Sequence, residues 1–291
     1  MAKSKVSRLI HFTFQGPDKK GIIGQITIFM FQHEGNIVDI DQRVLEGFLV
    51  MNMVVDLKDL SKPWASFLKA LDVLVKGELG MSLRWDDVGR RTQKNVALLV
   101  STEAHCAEAI IAAQKAGHLA GKIGVIVGNH PNLKALAKEA GAPFFYVASE
   151  NKRAHEKNVL ELLHQHQTDL VVLARYMQIL SPEFVFRYEG RIINIHPSLL
   201  PAFPGPRAYH QAFNKGVDYV GVTAHFVTTD LDEGPIICQE AFRVDRVKHT
   251  VEDYLKQGRK LEAKALTKAV KLFCADKLSL RRGKVSIGVK K

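Results

Sequence analysis

Asn194, His196 and Asp232 are residues whose types and spacing suit acyl chemistry. The first two lie in Ile193-Asn194-Ile195-His196-Pro197-Ser198-Leu199-Leu200-Pro201, the third in Asp230-Leu231-Asp232-Glu233-Gly234-Pro235. The run Arg191 to Ile195 predicts a short buried strand that Pro197 stops. Alternate strand residues share a face, so Asn194 and His196 point the same way at a strand end. An amide donor and an imidazole aimed at one carbonyl suit a developing oxyanion. Asp232 falls in a Gly/Pro-bounded loop after Thr223-Ala224-His225-Phe226. There a carboxylate can orient the histidine, favour its protonated form or hold a water. Taken singly, each motif also reads as an ordinary strand end or turn.

These residues need a scaffold, and two rhythms supply it. Apolar strands at Val96–Val100, Ile123–Val127, Phe144–Val147 and Leu170–Leu173 alternate with helical stretches at Ala104–Ala116, Asn132–Ala140, Asn151–Gln165 and Pro182–Tyr188. Such alternation predicts a doubly wound, mostly parallel, Rossmann-like sheet with function at the carboxyl ends of its strands. Thr250–Cys274 predicts a long helix, and the basic Lys277–Lys291 a final strand. Before residue 88 the order is different. Strand Arg8–Phe14, helix Ile22–His33, strands Ile37–Val44 and Phe48–Val55, helix Ser61–Lys76 and strand Met81–Trp85 give β-α-β-β-α-β, a ferredoxin-like unit. The organisation expected for this α/β chain is therefore 1–87, a polar linker at 88–94, and 95–291.

Composition narrows the function classes. A chain of 291 residues suits two domains. The three cysteines, Cys106, Cys238 and Cys274, fit neither a disulfide framework nor a metal spacing. Histidines are plentiful but lack the paired spacing of a metal site, so no metal is expected. The apolar runs are too short for a membrane span, and the amino terminus lacks a signal-peptide core, so a cytoplasmic protein without membrane partners is expected. The net charge of +11 lies almost wholly beyond residue 90: residues 1–90 hold 12 basic and 11 acidic side chains. With no nucleic-acid motif present, that field suits a small anionic substrate rather than nucleic acid.

The two motifs in this order resemble the catalytic segments of the folate-dependent formyltransferase family. The resemblance runs from Asn95 to Phe273 and implies that Asn194, His196 and Asp232 are catalytic. Arg175-Tyr176-Met177-Gln178-Ile179-Leu180 and Val227 to Asp232 resemble the segments holding the pterin ring. They imply Arg175, Met177, Leu180 and Val227 as substrate-binding residues, with His225 beside them as a buttress for Asp232. The first unit resembles the ACT family of amino-acid-binding modules through Asp18-Lys19-Lys20-Gly21-Ile22-Ile23 and Gly35-Asn36-Ile37. It implies an amino-acid effector at Asp18, Gly21, Ile22 and Asn36, and assembly to a homo-dimer or tetramer. Gly21 at a helix start leaves amides open to a carboxylate.

The acceptor decides among family members. Transferases acting on a nucleotide amine carry a Gly-rich phosphate loop after their first strand. Here Val100-Ser101-Thr102-Glu103-Ala104-His105-Cys106 has no glycine, and Glu103 would repel phosphate. An ACT unit joined to this core resembles the hydrolytic branch, which converts 10-formyltetrahydrofolate to formate and tetrahydrofolate and supplies formate for purine synthesis. Glu103-Ala104-His105-Cys106, Val127-Gly128-Asn129-His130 and Tyr209-His210-Gln211-Ala212-Phe213 match it too, and would bring His105 and His130 near the cleft. Pro197-Ser198-Leu199-Leu200-Pro201 departs toward the transferase version. The folate is then the substrate, and no cofactor is implied. Transfer to an amine acceptor, and a non-catalytic amino-acid- and folate-sensing regulator, stay open as alternatives.

Overall fold

A computed structural model describes residues 8–87, 93–281 and 283–288. Its contacts divide the chain into two units, Met1–Thr92 and Gln93–Lys291. Val88 to Thr92 of the expected linker lie outside the described residues, and Lys94 already opens a strand.

The first unit is a four-stranded antiparallel sheet in the order β2-β3-β1-β4. Its elements are β1 (Leu9–Pro17), α1 (Ile22–Gln32), β2 (Asn36–Leu45), β3 (Phe48–Asp56), α2 (Trp64–Asp72) and β4 (Ser82–Asp87). Period-two alternation places Ile10, Phe12 and Phe14 of β1 beside Met51, Met53 and Val55 of β3 in one core. Ile22, Ile26 and Met30 of α1 and Phe67 and Leu71 of α2 cover it at helical spacing. The expected helix Ser61–Lys76 starts later, because Pro63 stands extended at its cap, and it ends in a π-helical turn over Val73–Glu78.

The second unit is a seven-stranded sheet in the order β11-β10-β9-β8-β5-β6-β7. β5 (Lys94–Val100), β6 (Gly121–Gly128), β7 (Phe144–Tyr146), β8 (Leu170–Ala174) and β9 (Ile192–His196) run parallel. β10 (Tyr219–Phe226) runs antiparallel to β9, and β11 (Ile236–Arg243) turns back antiparallel to β10. The helices are α3 (His105–Lys115), α4 (Leu136–Ala140), α5 (Lys152–Gln165), α6 (Pro182–Arg187), α7 (Ala208–Lys215) and α8 (Val251–Cys274). Val96, Leu98 and Val100 of β5 face a core that includes residues of α3 and α8, while Ala97 and Leu99 face one that includes residues of α5 and α6. A strand buried on both faces has no alternation to lose, which is why these strands read as continuous apolar runs.

Three expectations change. Asn132–Ala140 is a 3-10 turn at Pro131–Leu133 followed by the short α4. The helix α7 lies where only a motif was noted. The tail is a hairpin, β12 (Leu278–Arg281) and β13 (Lys284–Ile287), turned at Gly283 with φ 72°. The long helix α8 starts on a capping box between Thr250 and Asp253. Among the described residues no helix is long and apolar enough to cross a membrane.

Candidate active site

β9 presents Asn194 and His196 on one face, and reversal of β10 sets His225 directly opposite Asn194 in the ladder. Residues 227–235 connect β10 to β11. This loop is held down where Phe226 donates to the Pro235 carbonyl and Val227 to that of Ile192. Gly234 packs so closely on the Phe226 carbonyl that a Cβ there would lie 1.7 Å from its oxygen, so the loop's path needs glycine. The path brings Asp232 to the histidines in the left-handed region, at φ 57°.

His196 Nδ1 lies 3.1 Å from Asp232 Oδ2, and its Nε2 lies 3.0 Å from the Phe203 carbonyl. Both ring nitrogens thus face acceptors, an arrangement fully satisfied only when the ring carries two N–H groups. Gly205 N–H donates to the same Asp232 oxygen at 3.3 Å. Burial works to raise the Asp232 pKa, but the hydrogen bond and charge of His196, then the Gly205 amide, prevail and hold it below the ordinary carboxylate range. His225 is the opposite case. Burial lowers its pKa and keeps it neutral, against a hydrogen bond from Nδ1 to the Phe226 carbonyl at 2.9 Å. With its proton on Nδ1, its Nε2 accepts from Asn194 Nδ2 at 3.3 Å. That contact fixes which end of the amide faces inward and leaves the second Nδ2 hydrogen for a ligand. Asp232 Oδ1 stands 3.8 Å from His225 Nε2, beyond hydrogen-bonding range.

These side chains form one end of a cleft of about 690 Å³. The residues expected to be catalytic or substrate-binding all line it: Asn194, His196, Asp232, Arg175, Met177, Leu180, Val227 and His225. Met177, Ile179 and Leu231 remain exposed there, as a wall for an apolar ring would be. The loop from Arg175 to Ser181 is pinned from below, where Tyr176 OH bonds His155 and Glu156 accepts from Ser181 N–H. The loop from Pro197 to Pro201 is tied to Thr223, whose Oγ1 donates to the Ser198 carbonyl and accepts from Leu200 N–H. Five non-glycine residues with left-handed backbone cluster at the site. Arg175, Met177, Arg207 and Asp232 line the cleft, and Phe203 supplies the carbonyl to His196.

Sequence reasoning missed the 203–207 loop and Glu262, and gave Tyr209, noted only within a matching phrase, no role. Positive φ leaves no trace in residue type at Phe203 or Arg207, and Glu262 sits in a helix whose other charges are mostly solvated. His105 touches Glu262 (2.8 Å), whereas His130 is exposed at the cap of the Pro131 turn; neither lines the cleft. His105, Cys106 and Glu262 bring three ligand-type atoms within 4.8 Å. Arg175 Nε, 3.6 Å from the same carboxylate oxygen, and the Cys106 thiol, pushed up by burial and then by Glu262, make the group a poor cation site. In the first unit Asp18, Gly21 and Ile22 gather at the start of α1, with Gly21 at φ 88°. Asn36 stands apart from them: α1 carries the chain back across the sheet, so Asn36 pairs with Asp56 while Pro17 pairs with Phe48 at the other end of β3.

Comparison with known proteins accords with this architecture. The formyl transferase family matches residues 94–270, and the ACT domain family residues 9–85. The chain thus couples an ACT domain to a formyl transferase domain. Formyltetrahydrofolate deformylase of Synechocystis is 41% identical over 268 residues, 90% of this chain and 92% of that protein. That of Bacillus subtilis is 37% identical over 276 residues, 93% and 91%. The crystal structure of a formyltetrahydrofolate deformylase from Pseudomonas syringae superposes with a TM-score of 0.66 at 30% identity, covering 98% of this chain and 95% of that one. Glycinamide ribonucleotide transformylase 1 from Symbiobacterium toebii covers only 67% of this chain, at TM-score 0.64 and 32% identity. The chain belongs to the formyltetrahydrofolate deformylase family, a family of enzymes.

Proposed function

We propose that the protein hydrolyses 10-formyltetrahydrofolate to formate and tetrahydrofolate. The observation that carries this reading is the meeting of Asn194, His196 and Asp232 in a cleft otherwise lined mostly by apolar residues. The formyl oxygen seats against the free Nδ2 hydrogen of Asn194, within the field of His196, whose two ring nitrogens are engaged by Asp232 and the Phe203 carbonyl. Water attacks the formyl carbon and passes its proton to Asp232. The carbon–nitrogen bond then breaks, the folate nitrogen regains a proton, and formate leaves. One such oxyanion donor is worth about 3 kcal/mol of barrier. His225 acts through Asn194 by setting its amide, and Arg175, Met177, Leu180 and Val227 hold the pterin.

Residues 95–291 would then be catalytic and residues 1–87 regulatory. An amino acid would bind where Asp18, Gly21 and Ile22 open α1, and the enzyme would assemble as a homo-oligomer in the cytoplasm. Purified protein should release formate from 10-formyltetrahydrofolate without any amine. Faster formylation of glycinamide ribonucleotide than formate release would make it a transferase instead. Absence of both reactions would leave a sensing regulator.

A further inference from the structure

Residues 175–181 join β8 to α6 without helix or strand, and residues 175–180 line the cleft. Met177 is 66% and Ile179 63% exposed, so this segment gains little from burying its own apolar side chains. Its backbone is also bent. Arg175 at φ 59° and Met177 at φ 58° stand in the left-handed region on either side of Tyr176. A segment that is both bent and open keeps one shape only if outside contacts over-determine it.

Those contacts converge on two consecutive buried residues of α5, His155 and Glu156, which the proposed reaction does not use. His155 Nε2 bonds Tyr176 OH, near the start of the segment. Glu156 Oε1 accepts from Ser181 N–H at 2.7 Å, at its end. His155 Nδ1 lies 3.0 Å from the Ala148 carbonyl, which can only accept. The ring proton therefore sits on Nδ1, and Nε2 takes the tyrosine hydrogen. Burial, then the Glu156 charge, raises the Tyr176 hydroxyl far above its ordinary pKa and keeps it a donor. The Tyr176 ring shares a core with Val159 and Leu163 of the same helix. The helix start is itself fixed, because the Asn151 side chain accepts from Ala154 N–H at 3.0 Å.

We infer that His155 and Glu156 are positioning residues, a two-point clamp that holds residues 176–181 in the shape of the pterin wall. Neither touches the cleft; each acts through the segment it holds. A wall held ready binds more tightly than one that must be ordered by its ligand. The inference rests on the folate reading, yet the two fail separately. Folate binding by the wild-type protein tests the reading, and the difference between wild type and variants tests the clamp.

The probe is tetrahydrofolate, titrated into the full chain by calorimetry, with formate release measured beside it. Tyr176→Phe keeps the ring and drops the hydroxyl, and Glu156→Ala releases Ser181. Each should weaken tetrahydrofolate about tenfold and raise KM alike, the scale of one hydrogen bond, with kcat held within about twofold. The split is expected because Asn194, His196 and Asp232 hang from β9 and the 227–235 loop. Glu156→Gln, whose amide oxygen still accepts from Ser181 N–H, should bind like the wild type. Adding His155→Phe to Tyr176→Phe should weaken binding no further, since the two residues act through one bond. Urea midpoints separate holding the wall from holding the fold. A variant with a lowered midpoint and wild-type affinity would overturn the inference, as would a fall in kcat at unchanged KM. If Tyr176→Phe fails to fold, the contrast between Glu156→Ala and Glu156→Gln decides. A wild-type protein that does not bind tetrahydrofolate would sink the folate reading and the clamp with it.

Discussion

Two carboxylates in the second unit have nearly the same surroundings and different prospects. Asp232 and Glu262 are both largely withdrawn from solvent, each lies about 3 Å from a histidine, and each is held below the ordinary carboxylate range. Glu262 comes from a regular helix and has a tyrosine, a histidine and an arginine around its two oxygens. Asp232 comes from a bent loop. Its Oδ2 is engaged, but its Oδ1 faces only a neutral histidine 3.8 Å away, on the cleft. An ionised group whose oxygens are all taken can only hold. One with an oxygen to spare can take a proton. The difference lies in how many partners each carboxylate has, and in whether substrate can reach it.

Replacement of Asp232 by Asn should break this comparison most severely. Formate release should fall about 10²- to 10⁴-fold with the fold intact, the usual range for acid–base groups. Retention of more than about a tenth of the rate would show that the spare oxygen does no proton transfer. Asn194→Ala comes next, with kcat lower by about 10²- to 10³-fold and KM little changed. A rise in KM alone would demote Asn194 to a binding residue.

Tyr209→Phe should act in the reverse sense, removing one partner from Glu262 at about 1–3 kcal/mol of stability in urea unfolding. A kcat loss as deep as that of Asp232→Asn would erase the contrast. The pH dependence sharpens it further. His225 is depressed below the ordinary histidine value of 6.5. Between that value and its folded one the unfolded chain binds a proton that the fold refuses, so stability falls as pH drops through this window. His225→Asn should flatten that part of the urea-midpoint profile. Asp232, also depressed, contributes stability that is complete above the ordinary value of 3.8 and lost as pH falls through its folded one. An unchanged profile in His225→Asn would mean the ring is already charged in the fold. Gly21→Val should have the smallest catalytic effect: calorimetric binding of an amino acid is lost, because a branched residue at φ 88° is strained and covers the helix start. Binding that survived would move the effector site away from Asp18 to Ile22.

Strand parity made half of the site legible in the sequence. Asn194 and His196 alternate across Ile195, and Asp232 is announced by the glycine and proline that bend its loop. Met177 and Leu180 could be named only because a whole segment resembles a known one, since apolar residues in an irregular loop carry no periodicity. The Glu262 cluster was illegible for a different reason. Its members come from α3, α7, α8 and the end of β8, far apart in the chain, and a glutamate in a lysine-rich helix reads as solvated until packing is known. Asn36 shows the converse case: the ACT resemblance groups it with Asp18, Gly21 and Ile22, and α1 carries it to the other end of β3.

The left-handed residues at the cleft bear on kinetics. Each such bend costs roughly 1–3 kcal/mol and persists only where surrounding contacts over-determine it. Here the protein's own groups supply those contacts: Tyr176 on His155, Gly205 on Asp232, the Phe203 carbonyl on His196. Loops already bent into working shape have little ordering left for a ligand to impose. Folate association should therefore resemble docking onto a rigid wall. A stopped-flow trace should show a single bimolecular phase whose rate climbs linearly with ligand concentration, without the plateau that a rate-limiting rearrangement of the loops would impose.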